Sequence, residues 1–452
     1  MKICAYVQEQ YTKTAYSNES MDARQFVGLK VIVDSLMQAG YAVEYAGIAT
    51  VHLYDIVLVS LTSDCDWWSF IAERTRWQNG SYNVIIGGAG LMHIAPFLPF
   101  GDYFSFGRGE QTVVELVRAL DGKGDCTSDS ICDARTFSPD KVYHIQQAQA
   151  PYPHPIRIDD KSEWNEGMIG CNHKCLFCGY TWHRKCNYNQ AFMWDSGKTN
   201  MSDKECAMLD WESGKYKVNW SRLRTTAIDG FSERLRYMVN KRISRRSVEM
   251  FLRDMILSDA KPHQIKLFNV CGLPTETEAD WWELIDVFKS TDAYMSPHGK
   301  QWSIVLHSTP FRPMPATPLA CAPMSYRNYR GEIGRILGKG LKGNIIYQGR
   351  ALWAVESMGT ESLPTVILSA ICHRGSADDT ENIIRIARSK KFWSAPVLVR
   401  QATLEKYFDV GRLFGAFTAQ TLPSRYLRTY AHVERMWPRE SDGQERGISE
   451  GD

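Results

Sequence analysis

The sequence lacks any run of about 18 apolar residues, the length that a membrane-spanning helix requires. Its first residues, MKICAYVQEQ, have the character of a β-strand followed closely by charges, which is not typical of a signal peptide. We therefore expect neither secretion nor membrane insertion, and we expect a cytoplasmic protein, in the host cytoplasm if the source is viral. The chain also has no internal repeat. Its 44% hydrophobic and 23% charged residues exclude wholesale disorder and fibrous structure.

Cysteine is scattered outside one short segment. A chain without a signal peptide keeps its thiols reduced, and clustered thiols then bind metal more often than they form disulfides. Isolated cysteines behave as small core residues. Nine of the twelve fall in that group: Cys4, Cys65, Cys126, Cys132, Cys186, Cys206, Cys271, Cys321 and Cys372. The other three are clustered, and the functional prediction begins with them.

The first 125 residues alternate short apolar runs with amphipathic stretches. This alternation predicts a parallel sheet with helices on both faces, an α/β domain. The predicted strands lie at 2–7, 41–48, 55–63 and 82–88, and the predicted helices at 25–37, 66–77 and 110–120. Glycine-rich turns at 87–90 and 107–109 lie at strand ends, where such domains bind ligands. Neither is a full dinucleotide fingerprint, so we favour tight turns over a ligand site.

A segment rich in Gly, Ser, Asp and Pro, residues 126–163, predicts an interdomain linker. From 164 to 322, strand patterns at 266–274 and 301–310 alternate with helix patterns at 247–257 and 278–289, which predicts a full or partial α/β barrel. A smaller accessory region follows at 323–437, with a predicted strand at 365–371 and helices near 380 and 405. The polar tail, 438–452, is predicted to be disordered.

Three cysteines stand as C-x3-C-x2-C in GMIGCNHKCLFCGY: Cys171, Cys175 and Cys178. A four-iron cluster held by three thiolates keeps one iron open to a small molecule. Two alternatives remain at this point. A structural zinc site would take a fourth ligand from His173, His183 or Cys186, and Cys175 with Cys178 alone would make a redox dithiol.

Four segments together make the chain resemble the radical S-adenosylmethionine (SAM) superfamily, in the branch with an N-terminal, flavodoxin-like, cobalamin-binding-like domain. They are the cysteine loop, AIDGFSERLRYMVNK at 227–241, IKLFNVCGLPTETEADW at 265–281 and FRPMPATPLACAPM at 311–324. The resemblance implies a 4Fe-4S cluster on the three cysteines, SAM beside it, and an electron donor such as flavodoxin or ferredoxin. It also implies that the second and third segments approach SAM and that the fourth ends the barrel.

The residue types in the second segment suit SAM, whose carboxylate needs a cation and whose ribose needs hydrogen-bonding partners. Asp229, Ser232 and Arg234 provide them within six residues, and Arg236 is a second cation. The alternative is an ordinary helix start, because Asp229 and Ser232 are also good capping residues.

In the third segment, Gly272 lets the backbone approach a flat group such as adenine. By resemblance, Val270 to Leu273 form the adenine-side wall, and Glu276 stabilises the turn. The family's Gly-Gly-Glu-like strand for the SAM amino group has only a loose counterpart here, the run 210–212.

An Asp-x-His-x-x-Gly motif, which supplies a cobalt ligand in many cobalamin domains, is absent, and no histidine lies between Val7 and Leu36. Cobalamin therefore remains a candidate cofactor without that ligand, and radical rearrangement is favoured over methyl transfer. A methylthiotransferase would need three cysteines in the N-terminal domain, where only Cys4 and Cys65 occur.

Positive charge is concentrated between residues 178 and 247, where fourteen Lys and Arg face seven Asp and Glu. Aromatic residues are interleaved with these cations, as in proteins that bind a nucleic acid with an exposed base. The alternative is an aromatic core edge with solvated lysines. In outline the chain resembles bacteriophage isomerases that rearrange a modified thymidine in DNA. A methyltransferase acting on a nucleic acid, peptide or metabolite, and a non-catalytic metal protein that binds nucleic acid, are the competing hypotheses.

Overall fold

The computed structural model describes residues 1–9, 27–64, 66–138, 143–147, 150–157, 163–171, 173–182, 187–188, 204–214, 217–325, 345–358, 363–389 and 400–415. The chain divides into two compact units. The first contains Met1–Asn172, Gly179–Gly197 and Ser362–Leu413. The second contains His173–Cys178, Lys198–Glu361 and Phe414–Asp452.

Strands and helices alternate along the described chain. The strands are β1 (Ile3–Tyr6), β2 (Val43–Ala46), β3 (Ile56–Ser60), β4 (Asn83–Gly87), β5 (Tyr103–Ser105), β6 (Ile131–Asp133), β7 (Ile156–Arg157), β8 (Glu163–Trp164), β9 (Met168–Ile169), β10 (Asn187–Tyr188), β11 (Thr225–Ala227), β12 (Gln264–Cys271), β13 (Trp302–Pro310), β14 (Ile345–Gln348) and β15 (Leu352–Met358).

The α-helices are α1 (Val27–Gln38), α2 (Asp66–Arg74), α3 (Thr112–Leu120), α4 (Gly179–Trp182), α5 (Met208–Glu212), α6 (Glu233–Met238), α7 (Arg245–Leu257), α8 (Glu278–Thr291), α9 (Leu363–Arg374), α10 (Thr380–Ser389), α11 (Gln401–Tyr407) and α12 (Val410–Phe414). Short 3-10 turns lie at Val51–Leu53, Ala95–Phe100, Ala134–Thr136 and Ala377–Asp379.

The first unit is built on a six-stranded sheet in the order β2-β1-β3-β4-β5-β6. Neighbouring strands from β2 to β5 are parallel, and β6 is an antiparallel edge strand. The order 2-1-3-4-5 is that of flavodoxin-like domains, so the predicted flavodoxin-like topology is confirmed. β3 is buried along nearly its whole length, as is typical of a central strand in a parallel sheet.

The predicted glycine turns of the first unit are packed against its own backbone. An added Cβ on Gly88 would lie 2.4 Å from the Leu61 oxygen, and one on Gly90 would lie 2.3 Å from the Ser63 oxygen. One on Gly107 would meet the Gln146 oxygen at 2.4 Å. These contacts require glycine by themselves, which agrees with the preference for tight turns.

Helix α9 corrects a prediction, since residues 365–371 are helical and not a strand. The run TVILSAI is buried throughout, and a short continuous apolar run fits a buried helix as well as a buried strand. Contacts within the first unit hold α9 and its following turn. Ser369 and His373 contact the Asp64 carboxylate, and the His93 imidazole lies 2.6 Å from the Gly375 oxygen.

The second unit is built on a five-stranded sheet in the order β11-β12-β13-β15-β14. β11, β12, β13 and β15 are parallel, and β14 is antiparallel at the edge. Within the described chain this sheet is open, so of the two predicted forms it matches a partial α/β barrel. The fold as a whole is α/β with two largely parallel sheets, as predicted.

The two faces of this second sheet differ. Along β12 and β13, alternate residues such as Leu267 and Leu306 are buried in one apolar core with Phe251 of α7 and Leu284 of α8. The other alternate residues are partly exposed. The strand period of two thus separates a face covered by helices from a more open face.

The predicted segment limits at 125, 163, 322 and 437 stay predictions. β14 and β15, which follow residue 322, pair into the second sheet, while 362–413 groups with the first unit. The predicted tail, 438–452, lies outside the described residues. Among the described helices, none is long and apolar enough to cross a bilayer.

Candidate functional site

The cysteine loop begins directly after β9. Gly170 has φ 71° and Lys174 has φ 50°, so the backbone enters the left-handed region twice in five residues. The Cys178 amide donates to the Cys175 oxygen at 3.1 Å, which closes a turn around the last two cysteines. Cys175 is buried, whereas Cys171 and Cys178 are half-buried, and none of the three forms a disulfide.

Backbone hydrogen bonds fix the part of this loop that belongs to the second unit. The Leu176 amide donates to the Val239 oxygen at 2.9 Å, and the Leu319 amide donates to the Leu176 oxygen at 3.2 Å. The Asn240 side-chain amide also donates to the Lys174 oxygen at 2.9 Å. The loop is therefore hydrogen-bonded to the second and fourth segments of the resemblance.

The described residues contain no group of three or more His, Cys, Asp or Glu side chains already arranged as a metal site. The assignment of Cys171, Cys175 and Cys178 as cluster ligands rests on their spacing and stays a prediction. Of the alternative zinc ligands, His183 and Cys186 lie outside the described residues. His173 lies 3.4 Å from an Asp210 oxygen.

Asp229 and Ser232 follow the carboxyl end of β11. Asp229 has φ 51°, and Lys241 contacts its carboxylate in a mostly buried ion pair. Ser232 is the N-cap of α6, because its hydroxyl accepts from the Leu235 amide at 3.3 Å. The same hydroxyl donates to Asp280 of α8. Ser232 therefore caps a helix start, as the alternative interpretation expected. A contact between Ser232 and SAM stays a prediction.

Arg234 joins the second segment to the third. Its guanidinium donates to the Thr275 hydroxyl and the Thr275 oxygen, both at 2.8 Å, and to the Asp280 carboxylate. Burial alone would raise the pKa of Asp280, but hydrogen bonds from Ser232 and Arg234 outweigh it and lower the pKa. The Arg234 side chain is half-exposed.

Arg236 is only 1% exposed. Its guanidinium donates to the oxygens of Ile243 at 2.8 Å and Gly230 at 3.1 Å, and Glu283 lies 3.5 Å away. Burial lowers its pKa to about 10, although Glu283 opposes the change. These contacts give Arg236 a structural role in holding the loop after β11. Its contact with SAM stays a prediction.

The third segment turns at the end of β12. Gly272 has φ 72°, a backbone conformation that glycine adopts readily. Its approach to adenine stays a prediction. Leu273 is buried and its amide donates to Glu276 at 3.3 Å, while the Trp281 indole donates to the other Glu276 oxygen at 2.8 Å. Glu276 therefore stabilises the turn, as predicted. Its burial raises its pKa to about 7.

Val270 precedes this turn by two residues and is half-buried on the more open face of the sheet. The fourth segment continues β13, where the Phe311 amide donates to the Cys271 oxygen at 2.8 Å. Each of the four segments is thus hydrogen-bonded to at least one other.

Backbone strain marks the same four segments. Five described non-glycine residues have positive φ: Lys174, Asp229, Asn240, Thr275 and Ala316. Each lies in the cysteine loop or in one of the other three segments. Such conformations cost free energy and concentrate at functional sites. The sequence pattern alone did not single out Lys241, Thr275 or Asp280, because their importance lies in contacts between distant segments.

The loose counterpart of the amino-group strand, residues 210–212, forms part of α5 instead. The Glu212 carboxylate accepts from Ser247, and the Trp211 ring packs edge-on against Phe251. These contacts are structural. Trp220 also packs on Phe251, so two aromatic residues of the basic segment belong to a core edge. Much of that segment lies outside the described residues.

At the carboxyl edge of the first sheet, buried carboxylates hold the loops. Glu73 of α2 is buried; it accepts from the Glu9 amide at 3.0 Å and contacts the Tyr6 hydroxyl at the end of β1. Asp66 accepts from the Thr62 amide at 2.7 Å and thereby holds the loop after β3. Residues 10–26, which follow β1, lie outside the described chain, so the fit of cobalamin to this edge stays a prediction.

No family model and no curated protein matches the sequence. Among solved structures, the chain is similar to the apo, selenomethionine-labelled, cobalamin-dependent S-adenosylmethionine radical enzyme OxsB, with 10% identity and a TM-score of 0.30. The match covers 96% of this chain and 61% of OxsB. A likeness this low carries no argument about function, which has to rest on the site itself.

Proposed function

We propose that the protein is a radical SAM enzyme. The observation that carries this proposal is the linkage of four separated segments. The cysteine loop is hydrogen-bonded to 239–240 and Leu319, Arg234 joins the second segment to the third, and Phe311 joins the fourth to the third. A chance C-x3-C-x2-C spacing would not require these contacts.

Cys171, Cys175 and Cys178 would hold the cluster, and their three thiols match a cluster with one open iron. A cluster bound there supplies the electron that splits SAM into methionine and a 5′-deoxyadenosyl radical. The protein's own contribution is to bind and orient SAM and to exclude water. Asp229, Arg234 and the 270–273 wall are the groups proposed for binding, while Ser232 and Arg236 hold the loops in place.

For the substrate, we propose isomerisation or rearrangement at a carbon of a modified nucleobase, of the thymidine-hypermodification type. The excess of positive charge between residues 178 and 247 supports a nucleic-acid substrate, and Tyr180 and Trp182 expose 42% and 40% of their surface. A base within a duplex would have to be flipped outward to reach the radical. A cobalamin-dependent methyltransferase is the second candidate, because the first sheet has the flavodoxin-like order in which such cofactors bind.

The test is anaerobic reconstitution of the full chain with iron and sulfide, followed by a reductant and SAM. We expect 5′-deoxyadenosine and methionine in the wild type and in the matched control Cys126→Ala, which alters a half-buried cysteine of the first unit. Cys175→Ala should reduce cleavage at least a hundredfold. A wild-type protein that takes up a cluster but cleaves no SAM would favour the non-catalytic alternative.

Mass analysis of nucleosides from DNA and RNA exposed to the active enzyme then tests the substrate. The nucleosides are separated by liquid chromatography before mass analysis. A thymidine derivative with unchanged mass but a changed retention time supports isomerisation, whereas a gain of one methylene group supports the methyltransferase. An unchanged profile would contradict a nucleic-acid substrate.

A further inference from the structure

The more open face of the second sheet carries two polar side chains with no hydrogen-bonded or ion-paired protein partner among the described residues. These are Lys266 on β12 and His307 on β13. Both are partly buried, and both alternate with core residues, so they point away from α7 and α8. An ammonium group with no counter-ion among the described residues can pair with an anionic ligand.

Phe268 connects the two side chains. It is the register partner of His307 in the parallel pair β12–β13, and the two rings meet edge to face at 5.2 Å between centroids. The Lys266 ammonium lies 5.5 Å from the Phe268 ring centroid. The ammonium, the ring and the imidazole therefore form one continuous surface across two strands.

The protonation states are complementary to an anion. Burial lowers the pKa of His307, and the charge of Lys266 lowers it further, so the imidazole is neutral near pH 7. A neutral imidazole donates one hydrogen bond, while Lys266 supplies the positive charge. Together they offer a cation, a donor and an aromatic face.

This surface is close to the predicted SAM wall. Val270 lies two residues beyond Phe268 on the same face of β12, and residues two apart on a strand are separated by about 7 Å. An anion bound between Lys266 and His307 would therefore belong to a molecule beside SAM in the same unit.

We infer that Lys266 and His307 bind a phosphate group of the nucleotide substrate. The inference rests on the proposed function, because it assigns a substrate contact to the same site. The other source of an anion is the SAM carboxylate, and the experiment below distinguishes the two.

The test measures binding to the reconstituted full chain by equilibrium dialysis, with thymidine 5′-monophosphate, thymidine and SAM as separate probes. The wild type should bind the monophosphate about tenfold more tightly than thymidine, because a charge-assisted hydrogen bond is lost without the phosphate. Lys266→Gln should remove that difference. His307→Phe, which keeps a ring against Phe268, should weaken monophosphate binding several-fold.

Lys261→Gln is the matched control, since Lys261 is exposed and lies outside β12, five residues before Lys266. It should bind all three probes like the wild type. Equal binding of monophosphate and thymidine by the wild type would overturn the inference. A Lys266→Gln variant that loses affinity for SAM but not for the monophosphate would also overturn it. Cleavage of SAM by the same wild-type preparation reports separately on the proposed function.

Discussion

The carboxyl edges of the two parallel sheets are built differently. In the first unit, the loops after β3 and β4 join through backbone contacts, such as the 2.7 Å bond from the Gly90 amide to the Leu61 oxygen. In the second unit, charged side chains join the loops after β11 and β12, and all five positive-φ non-glycine residues of the described chain lie in this unit. Strain and charge, and not topology, therefore distinguish the edge proposed for chemistry.

The largest effect is expected from removing a buried charge in the second unit. Arg236→Met removes the buried cation that contacts the oxygens of Gly230 and Ile243 and lies near Glu283. We therefore expect the free energy of unfolding of the second unit to fall by about 3 to 5 kcal/mol. Hydrogen exchange measured by mass spectrometry should show lost protection in peptides covering 227–243 and unchanged protection around β1 and β3. The exposed Arg246→Met is the control. Equal loss in both units would contradict a local role.

Gly88→Ala tests the backbone-packed edge. Gly88 has φ 104°, and the added methyl group would lie 2.4 Å from the Leu61 oxygen. We therefore expect the free energy of unfolding of the first unit to fall by about 3 kcal/mol. Gly122 also has positive φ, at 71°, but nothing lies within 4 Å of its added Cβ, and Gly122→Ala should cost about 1 kcal/mol. Denaturant unfolding measures both. Similar costs would show that conformation, and not contact, requires glycine at position 88.

The pH dependence of stability provides a further comparison of the two units. Burial raises the pKa of Glu73 to about 7, against an ordinary value of 4.5. The native state then holds a proton that the unfolded state has released, so the stability of the first unit falls as pH rises from about 4.5 through 7.

Glu73→Gln keeps an acceptor for the Glu9 amide and carries no charge, so it should stabilise the first unit by about 2 kcal/mol at pH 8 and flatten the profile. Glu276→Gln should stabilise the second unit by less, because both Glu276 oxygens accept N–H bonds and an amide has only one acceptor oxygen. Thermal unfolding between pH 5 and 8 measures both, with exposed Glu115→Gln as the control. A gain from Glu276→Gln as large as from Glu73→Gln would contradict this difference.

The smallest effect concerns strain alone. Ala316 has φ 57° and is exposed, so Ala316→Gly should stabilise the second unit by about 0.5 to 1 kcal/mol. The same substitution within a helix, Ala72→Gly in α2, should destabilise by about 1 kcal/mol. Urea titration compares them, and destabilisation by Ala316→Gly would argue against stored strain.

Sequence patterns were sufficient for most of the fold where local signals are strong. Alternation predicted β12 and β13, and amphipathic periodicity predicted α7 and α8, each close to its observed limits. The same approach failed for α9, because burial on all sides removes the periodicity that separates helix from strand.

The candidate site was predictable in composition but not in contacts. The segments with Asp229, Arg234 and Gly272 were identified, yet their partners Lys241, Asp280 and Thr275 depend on tertiary folding. Nor does sequence spacing reveal that Arg236 is buried, since a cation in a basic helix is ordinarily solvated. His307 was not singled out either; its signal is the register with Phe268, which only the paired strands define.

The hydrogen bond between the Leu319 amide and the Leu176 oxygen has a consequence for biosynthesis. It joins residues 143 positions apart, so the cysteine loop leaves the ribosome long before the segment that fixes it. Domains fold as units during synthesis at roughly 5 to 20 residues per second, which leaves the three thiols without that contact for several seconds. A metal-delivery system would find the loop most accessible in this interval, and an oxidant would find it most vulnerable.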